Sequence, residues 1–439
     1  MPCWRTLFVV AMPASHSMIR HCADIVPTAL GCLCLAVALS PMPARAAGVV
    51  LPAAPSGFSG LPGESGGFSG SSSGLAAGAW DGEDLLDGSS FDISSSGTYD
   101  SNVTHSPGPP FAPIQSDFIF NLGGNLKYLS KAPGWTFGGN YRGSYNQYFE
   151  QTDFSGYSQG AGVVVNYDAG KISASLTAGI AYDQGSNTYY NSPFVQLTTV
   201  NSELKVRYRL SPKTSLMGNV GQRFITASSG NYTDTKAFDL GISALWKYSP
   251  LTELGPGIRY TYREGDPQTG RTSIGPTLSV NYQLSKKVTL NSRVGVDFAS
   301  YENGGSADPT LAASIGLNYQ ASSLWGLNFL LLRDTQADPS LAGAFYEVNS
   351  LRFGYHRKIR RATLNLGVGY QTYATATLEN AAGSARPDRD YFNIDASLGM
   401  PVFANTSIAS VFVSYRDQSS NASDSWDAVR IGFGISRSF

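Results

Sequence analysis

A chain of 439 residues with a net charge of -1 and a mean hydropathy of -0.12 is neither a basic nucleic-acid binder nor a bundle of apolar membrane helices. Charged residues reach only 14%, against roughly 25% in a typical soluble domain, while Gly (48), Tyr (24) and Phe (22) are abundant. A single large β architecture can absorb this length as one domain.

Residues 1–46 read as a secretory signal peptide. The apolar run "IVPTALGCLCLAVAL" (Ile25 to Leu39) is shorter than the roughly 20 residues a spanning helix needs. It follows Arg20 and His21 and leads into "PMPARAA", where Ala44 and Ala46 form a small-residue cleavage site. Translation starts at Met1 or Met18, and cleavage falls after Ala46 or Ala47. All four cysteines (Cys3, Cys22, Cys32, Cys34) lie in this segment, so the mature chain is expected to lack disulfides, thiol nucleophiles and Cys-based metal sites. Residues 47–89, rich in Gly, Ser and Pro, read as a flexible periplasmic leader with too little apolar surface to offset its ordering entropy.

Residues 90–439 show a two-residue alternation throughout. In "NSELKVRYRL", Ser202, Leu204, Val206, Tyr208 and Leu210 share one face, and Glu203, Lys205, Arg207 and Arg209 share the other. "KISASLTAGIAY", "TLNLGVGYQTY" and the terminal "AVRIGFGISRSF" behave alike. Runs of roughly 10 to 14 residues exceed ordinary soluble strands and match the length needed to cross a bilayer at a tilt. Tight connections ("LSKAPG", "DAGK", "LSPKT", "SPLT", "LSKK", "ASS", "RKIRR", "VFAN") alternate with longer polar ones such as "REGDPQTGR" and "ATLENAAGSARPDRD". This asymmetry predicts an all-β fold, a transmembrane antiparallel β-barrel of about 18 strands, or 16, whose even count returns both ends to the periplasmic side.

Aromatic residues mark one end of each hairpin. Tyr128, Trp135, Tyr167, Tyr208, Trp246, Tyr248, Tyr282, Tyr319, Trp325, Tyr355, Phe403 and Phe439 are expected to form a girdle at the lipid headgroups. The last strand, ending at Phe439, is the expected handle for the barrel assembly machinery and closes the cylinder against the first strand.

The opposite face holds Lys127, Arg142, Lys205, Arg207, Arg209, Arg223, Lys247, Arg259, Arg263, Arg293, Arg352 and Arg430, with the acids Glu203, Asp239, Glu253, Asp297 and Asp395 among them. So many charges need water, and a barrel of this size encloses an aqueous channel. The expected function is passive passage of small polar solutes across the outer membrane of a Gram-negative-type bacterium, with a mild preference for anions. For Arg207, Arg209, Arg223 and Arg259 two readings stand: a constriction lining, or salt bridges with Glu203 and Glu253. The lipid of the membrane is the expected surrounding, and no cofactor, metal, nucleic-acid partner or catalytic role is expected. Of His105 and His356, the two histidines outside the signal peptide, neither belongs to a nucleophile motif.

"SSSGTYDSNVTHS" (Ser94 to Ser106) followed by "SDFIFNLGGNLKY" (Ser116 to Tyr128) resembles the putative beta-barrel porin 2 family, in which a Y-D-x-N element ends an early strand and an S-D-F element opens its neighbour. Tyr99, Asp100, Asn102, Ser116 and Asp117 are the matching positions. The resemblance implies an outer-membrane barrel, and some members are linked with exopolysaccharide systems. It therefore adds an alternative role as a conduit or anchor for surface polymer, beside that of a structural barrel without transport.

Overall fold

The computed structural model of the chain describes residues 88–439 except 109–112, 188–191, 229–231, 266–269, 286, 303, 339–343, 377–387, 404–406 and 422–423. The expected signal peptide and leader lie outside the described residues, save that Gly88 and Ser89 open the first strand instead of closing the leader. Among the described residues, no helix is long and apolar enough to cross a membrane.

The strands are β1 (Gly88–Asp100), β2 (Asp117–Ala132), β3 (Trp135–Tyr148), β4 (Gly156–Ala169), β5 (Ile172–Asn187), β6 (Ser192–Arg209), β7 (Thr214–Ala227), β8 (Thr235–Ser249) and β9 (Thr252–Glu264). The series continues with β10 (Gly270–Ser285), β11 (Val288–Tyr301), β12 (Thr310–Ser322), β13 (Trp325–Ala337), β14 (Phe345–Ile359), β15 (Ala362–Ala376), β16 (Arg389–Val402), β17 (Ser407–Ser420) and β18 (Trp426–Ser438). Each pairs antiparallel with its neighbours in sequence, and β1 pairs with both β2 and β18, so the 18-stranded sheet closes on itself. Of the two expected counts, 18 is observed.

Closure answers a physical demand. An open sheet leaves a row of unpaired backbone groups at each edge, and only a closed ring pairs them all. At the seam, Asp92 to Asp100 meet Ser438 to Arg430 in unbroken register. Phe91 and Phe439 exchange two backbone hydrogen bonds, of 3.3 and 2.8 Å. The terminal alternation is explained by this pairing: Ile431, Phe433 and Ile435 face outward and are exposed, while Arg430, Gly432 and Gly434 face the interior.

The tight connections fall where the sequence placed them, at one end of the barrel with Gly88 and Phe439. The longer connections lie at the other. These are the short-turn end and the long-loop end. Register carries the parity of each strand into the next, so one residue in two faces outward around the whole ring. Phe118, Leu122, Ile242, Ile258, Leu278, Phe298, Leu351 and Val411 belong to this outer set, and all are exposed in the isolated chain. An apolar belt of that extent around a molecule belongs in lipid.

The seam is latched from inside the barrel. The buried Asp100 carboxylate of β1 accepts a hydrogen bond from the Arg430 guanidinium of β18, and both side chains are almost fully enclosed. Removing one member of a buried pair leaves an uncompensated charge and costs about 3–5 kcal/mol. Arg430→Leu is therefore expected to lower the temperature at which the compact barrel band converts to the unfolded band on a gel. Asp100→Asn combined with Arg430→Gln should recover most of the loss; equal melting of Arg430→Leu and wild type would contradict the latch.

Candidate functional site

The interior of the barrel is the candidate site, and its two halves differ. Toward the short-turn end, many inward residues are polar and accessible to water: Asn318 and Asn328 are exposed, as are Lys247 and Arg352, and Lys127, Lys205 and Arg209 are half-buried, with Leu129, Val164 and Leu245 buried among them. Their ion pairs are local or span a few strands. Lys127 meets Asp92 at 3.4 Å, Lys205 meets Glu203 at 3.0 Å, and Arg207 of β6 reaches Glu253 of β9 at 2.6 Å. Arg209 donates to the Gly170 carbonyl at 3.0 Å. His356 also faces inward here, opposite Asn365 and against Gly326.

Toward the long-loop end the described residues form three apolar clusters and two ionic ones. In the largest apolar cluster, Val195 and Leu197 of β6 and Ile225 of β7 pack with Tyr346 and Val348 of β14 and Tyr373 of β15. With strands about 4.8 Å apart and tilted by about 40°, a round barrel of this strand number would hold β6 and β14 about 35 Å apart. The walls instead meet through their side chains. A second cluster joins Val103 of the β1–β2 connection to Ile119, Tyr148 and Phe154. A third joins Tyr301, Ala337 and Phe345.

The first ionic cluster surrounds the seam and contains the residues of the family resemblance. Asp100 binds Arg430 and accepts the Asn102 N–H at 3.0 Å, which turns the chain inward after β1. The Asn102 side chain accepts the Ser106 N–H at 3.0 Å and donates to the Asp427 carbonyl at 3.0 Å, tying this connection to β18. Asp117 accepts the backbone N–H groups of Phe149, Glu150 and Gln151 at 2.8–3.1 Å and thereby fixes the β3–β4 connection. Three of the five resemblance positions thus anchor loops inside the barrel mouth. Tyr99 faces outward and is exposed.

The second ionic cluster joins four strands. Arg259 of β9 donates to Asp239 of β8 at 3.2 Å, Asp297 of β11 at 3.4 Å and Asp334 of β13 at 2.9 Å. Arg263, farther along the same face of β9, binds Asp239 at 2.9 Å and Asp334 at 3.2 Å. Its remaining donors reach the carbonyls of Thr335, Phe238 and Tyr262. Arg293 of β11 sits below and donates to Asn219 of β7 at 3.4 Å.

These placements correct part of the sequence reading. Arg259, Arg263, Asp297 and Arg430 face inward, but oppositely charged and carbonyl partners enclose them where water was expected. Of the two readings of Arg207, Arg209, Arg223 and Arg259, the salt bridge with Glu253 is observed for Arg207, while Arg209 donates to the Gly170 carbonyl and Arg259 belongs to the cluster of Asp239, Asp297 and Asp334. Arg142 and Arg223 also face inward, on β3 and β7. Sequence reasoning missed Asp334, although its inward parity after Leu330 and Leu332 marked a charge needing a partner.

The twelve expected girdle residues all lie within a few residues of the short-turn end. Trp135 packs on Tyr167 at 4.4 Å, Tyr319 on Trp325 at 5.6 Å, and Trp246 on Tyr248 at 5.7 Å. Arg437 covers the Phe439 ring at 4.8 Å. Phe403 and Tyr248 are among the most exposed aromatic side chains, at 74% and 68%. No group of three His, Cys, Asp or Glu side chains among the described residues is arranged to hold a metal.

No family model matches the chain, and no curated protein matches it. Solved structures similar to it include the outer membrane protein OpdK of Pseudomonas aeruginosa, at 13% identity and a TM-score of 0.43, covering 80% of this chain and 99% of that one. OccAB4 of Acinetobacter baumannii matches at 11% identity and 0.42, over 80% and 98%. The FrpB iron transporter of Neisseria meningitidis matches at 10% and 0.41, over 81% and 82%. Likeness this distant carries no information on solute or role.

His105, in the β1–β2 connection, stacks on Trp426 with ring centroids 4.0 Å apart. Burial first, and then the Arg430 guanidinium, push its pKa down from the ordinary 6.5 to about 3; Arg416 acts in the same direction, and Asp100 opposes. With the docked value below the free value, docking of this connection is most stable above the free pKa and weakens as pH falls from about 6.5 toward 3. Hydrogen exchange in residues 101–108, corrected for its intrinsic pH dependence, should accelerate between pH 7 and pH 4 in wild type and not in His105→Phe. Equal protection at both pH values in wild type would contradict the assignment.

Proposed function

We propose that this protein is an outer-membrane β-barrel channel of a Gram-negative-type bacterium that passes small polar solutes, with a mild preference for anions. The observation that carries the reading is the division of faces: an exposed apolar belt outside and charged, water-accessible residues inside the same strands. A charged side chain on the lipid face of such a barrel costs about 2–4 kcal/mol at the midplane, whereas on the lumen side it tunes selectivity. Wet basic residues of the short-turn half, including Lys205, Lys247 and Arg352, outnumber the acids Asp92, Glu203 and Glu253 there. This imbalance supports anion preference.

Placing the short-turn end in the periplasm puts Gly88 and Phe439 there and makes the polar half a vestibule on that side. Phe439, on the exposed last strand, then lies at the inner headgroup level, where the assembly machinery is expected to engage it.

The apolar clusters toward the long-loop end favour a second reading, a surface barrel that transports nothing. A link to exopolysaccharide export rests on the family resemblance alone.

Single-channel recording of refolded protein separates the two main readings. Discrete openings with anion over cation selectivity are expected. Lys247→Glu with Arg352→Glu should reverse the preference without changing the heat-shifted gel migration. Wild-type protein that migrates as a folded barrel yet gives no openings at any voltage would leave the structural reading.

A further inference from the structure

Arg416, on the interior face of β17, is a buried arginine without an acid. It shares that face with Ser414 and Gln418, and all three side chains are enclosed. Register sets Arg416 between Asn393 of β16 and Ala428 of β18, and sets Ser414 between Asp395 and Arg430. Arg416 and Arg430 are therefore diagonal neighbours on adjacent strands, with Cβ atoms about 7 Å apart. Two like charges at that spacing raise the need for a counter-charge.

The groups whose charge acts on Arg416 are Arg430, Asp100 of β1, Asp395 of β16 and the Tyr148 hydroxyl of β3. Both carboxylates are engaged elsewhere. Asp100 accepts from Arg430 and from the Asn102 N–H, and Asp395 accepts from the Asn393 amide at 2.7 Å. Among the described residues the Arg416 side chain makes no ion pair and donates no hydrogen bond, although it is only 8% exposed. The Ser414 hydroxyl is enclosed and has no partner either.

The flanking side chains do not reach this guanidinium. Ala428 offers only a methyl group, and Asn393 turns over Gly369 of β15, where a Cβ would fall 2.2 Å from its Oδ1. On the loop side, Gln418 is held by Trp426 at 2.9 Å and by the Asp424 carbonyl at 3.2 Å. The contrast with the other ionic cluster is direct: there Asp239, Asp297 and Asp334 serve Arg259 and Arg263, whereas here Asp100 binds Arg430 and no acid binds Arg416. A guanidinium does not shed its proton in a protein, so the charge stays, and a buried charge needs a partner.

We propose that Arg416 holds a small inorganic anion of chloride size inside the barrel. The Ser414 hydroxyl donates a second hydrogen bond to it, and Arg430 adds attraction. Enclosure of both donors selects against an organic acid, whose carbon chain would have to be buried with its carboxylate. The anion joins β17 to the seam of β1 and β18 and so stabilises closure. This goes beyond the channel reading and holds whether or not the barrel conducts.

The test reads stability, apart from conductance. Refolded protein in nonionic detergent is melted by tryptophan fluorescence in sodium chloride from 1 to 100 mM, with ionic strength held constant by sodium gluconate, an anion too large for the site. A ligand bound only by the folded state raises the midpoint as its concentration rises, here by about 2 °C or more across the range. Arg416→Met removes the buried charge at similar size, so it should fold and lose the chloride dependence. Arg416→Lys should keep it, and Ser414→Ala should require more chloride for the same rise. In crystals of the wild-type protein soaked in bromide, an anomalous peak is expected within hydrogen-bond distance of Arg416. A wild-type midpoint indifferent to chloride, an equal dependence in Arg416→Met, or bromide peaks only elsewhere would each overturn the site. A rise with acetate but not with chloride would overturn the assignment to an inorganic anion.

Discussion

The structure depends on one constraint: a backbone N–H or C=O that faces hydrocarbon has no water to bind, so every such group must find a partner within the sheet. A meander of antiparallel strands satisfies this only by closing, and the chain closes β1 onto β18. The alternation of side chains then follows without further choice, because register fixes which residue of each pair faces out.

Inside the ring the problem is reversed. Inward charges require water or partners, and the two halves of the barrel use different answers. Toward the short-turn end, Lys127, Lys247 and Arg352 keep contact with solvent. Toward the long-loop end, Asp100 with Arg430, and Asp334 with Arg259 and Arg263, replace water with fixed counter-charges. These ion pairs sit beside apolar contacts between strands far apart in the ring, such as Leu197 with Val348 in one cluster. At this end wall residues and a short inward connection supply the partners.

The residues of the family resemblance acquire a physical meaning in this frame. Asp100, Asn102 and Asp117 each satisfy backbone groups of a connection that would otherwise lack partners. His105 lies neutral on Trp426 because an imidazolium there would be buried and would face Arg430. A sequence motif at the first hairpin thus records how the barrel mouth is fastened.

The sequence by itself determined the strand type, the alternation of faces and the positions of the tight turns, and narrowed the number of strands to 18 or 16, because these depend on periodicity and turn chemistry within a few residues of each other. Val429 to Phe439 could be assigned to a closing strand from their own pattern. Inward parity placed Lys205, Arg259 and Arg430 on one face, and no more than that. Which acid each would meet depends on strands far apart in the chain: Asp334 is separated from Arg259 by three intervening strands, and Asp100 from Arg430 by the whole barrel. Only the tertiary structure decided that side chains of β6 and β14 meet toward the long-loop end while Lys247 and Arg352 stay exposed toward the short turns, because parity fixes the face a residue takes and says nothing of which distant strand it will meet.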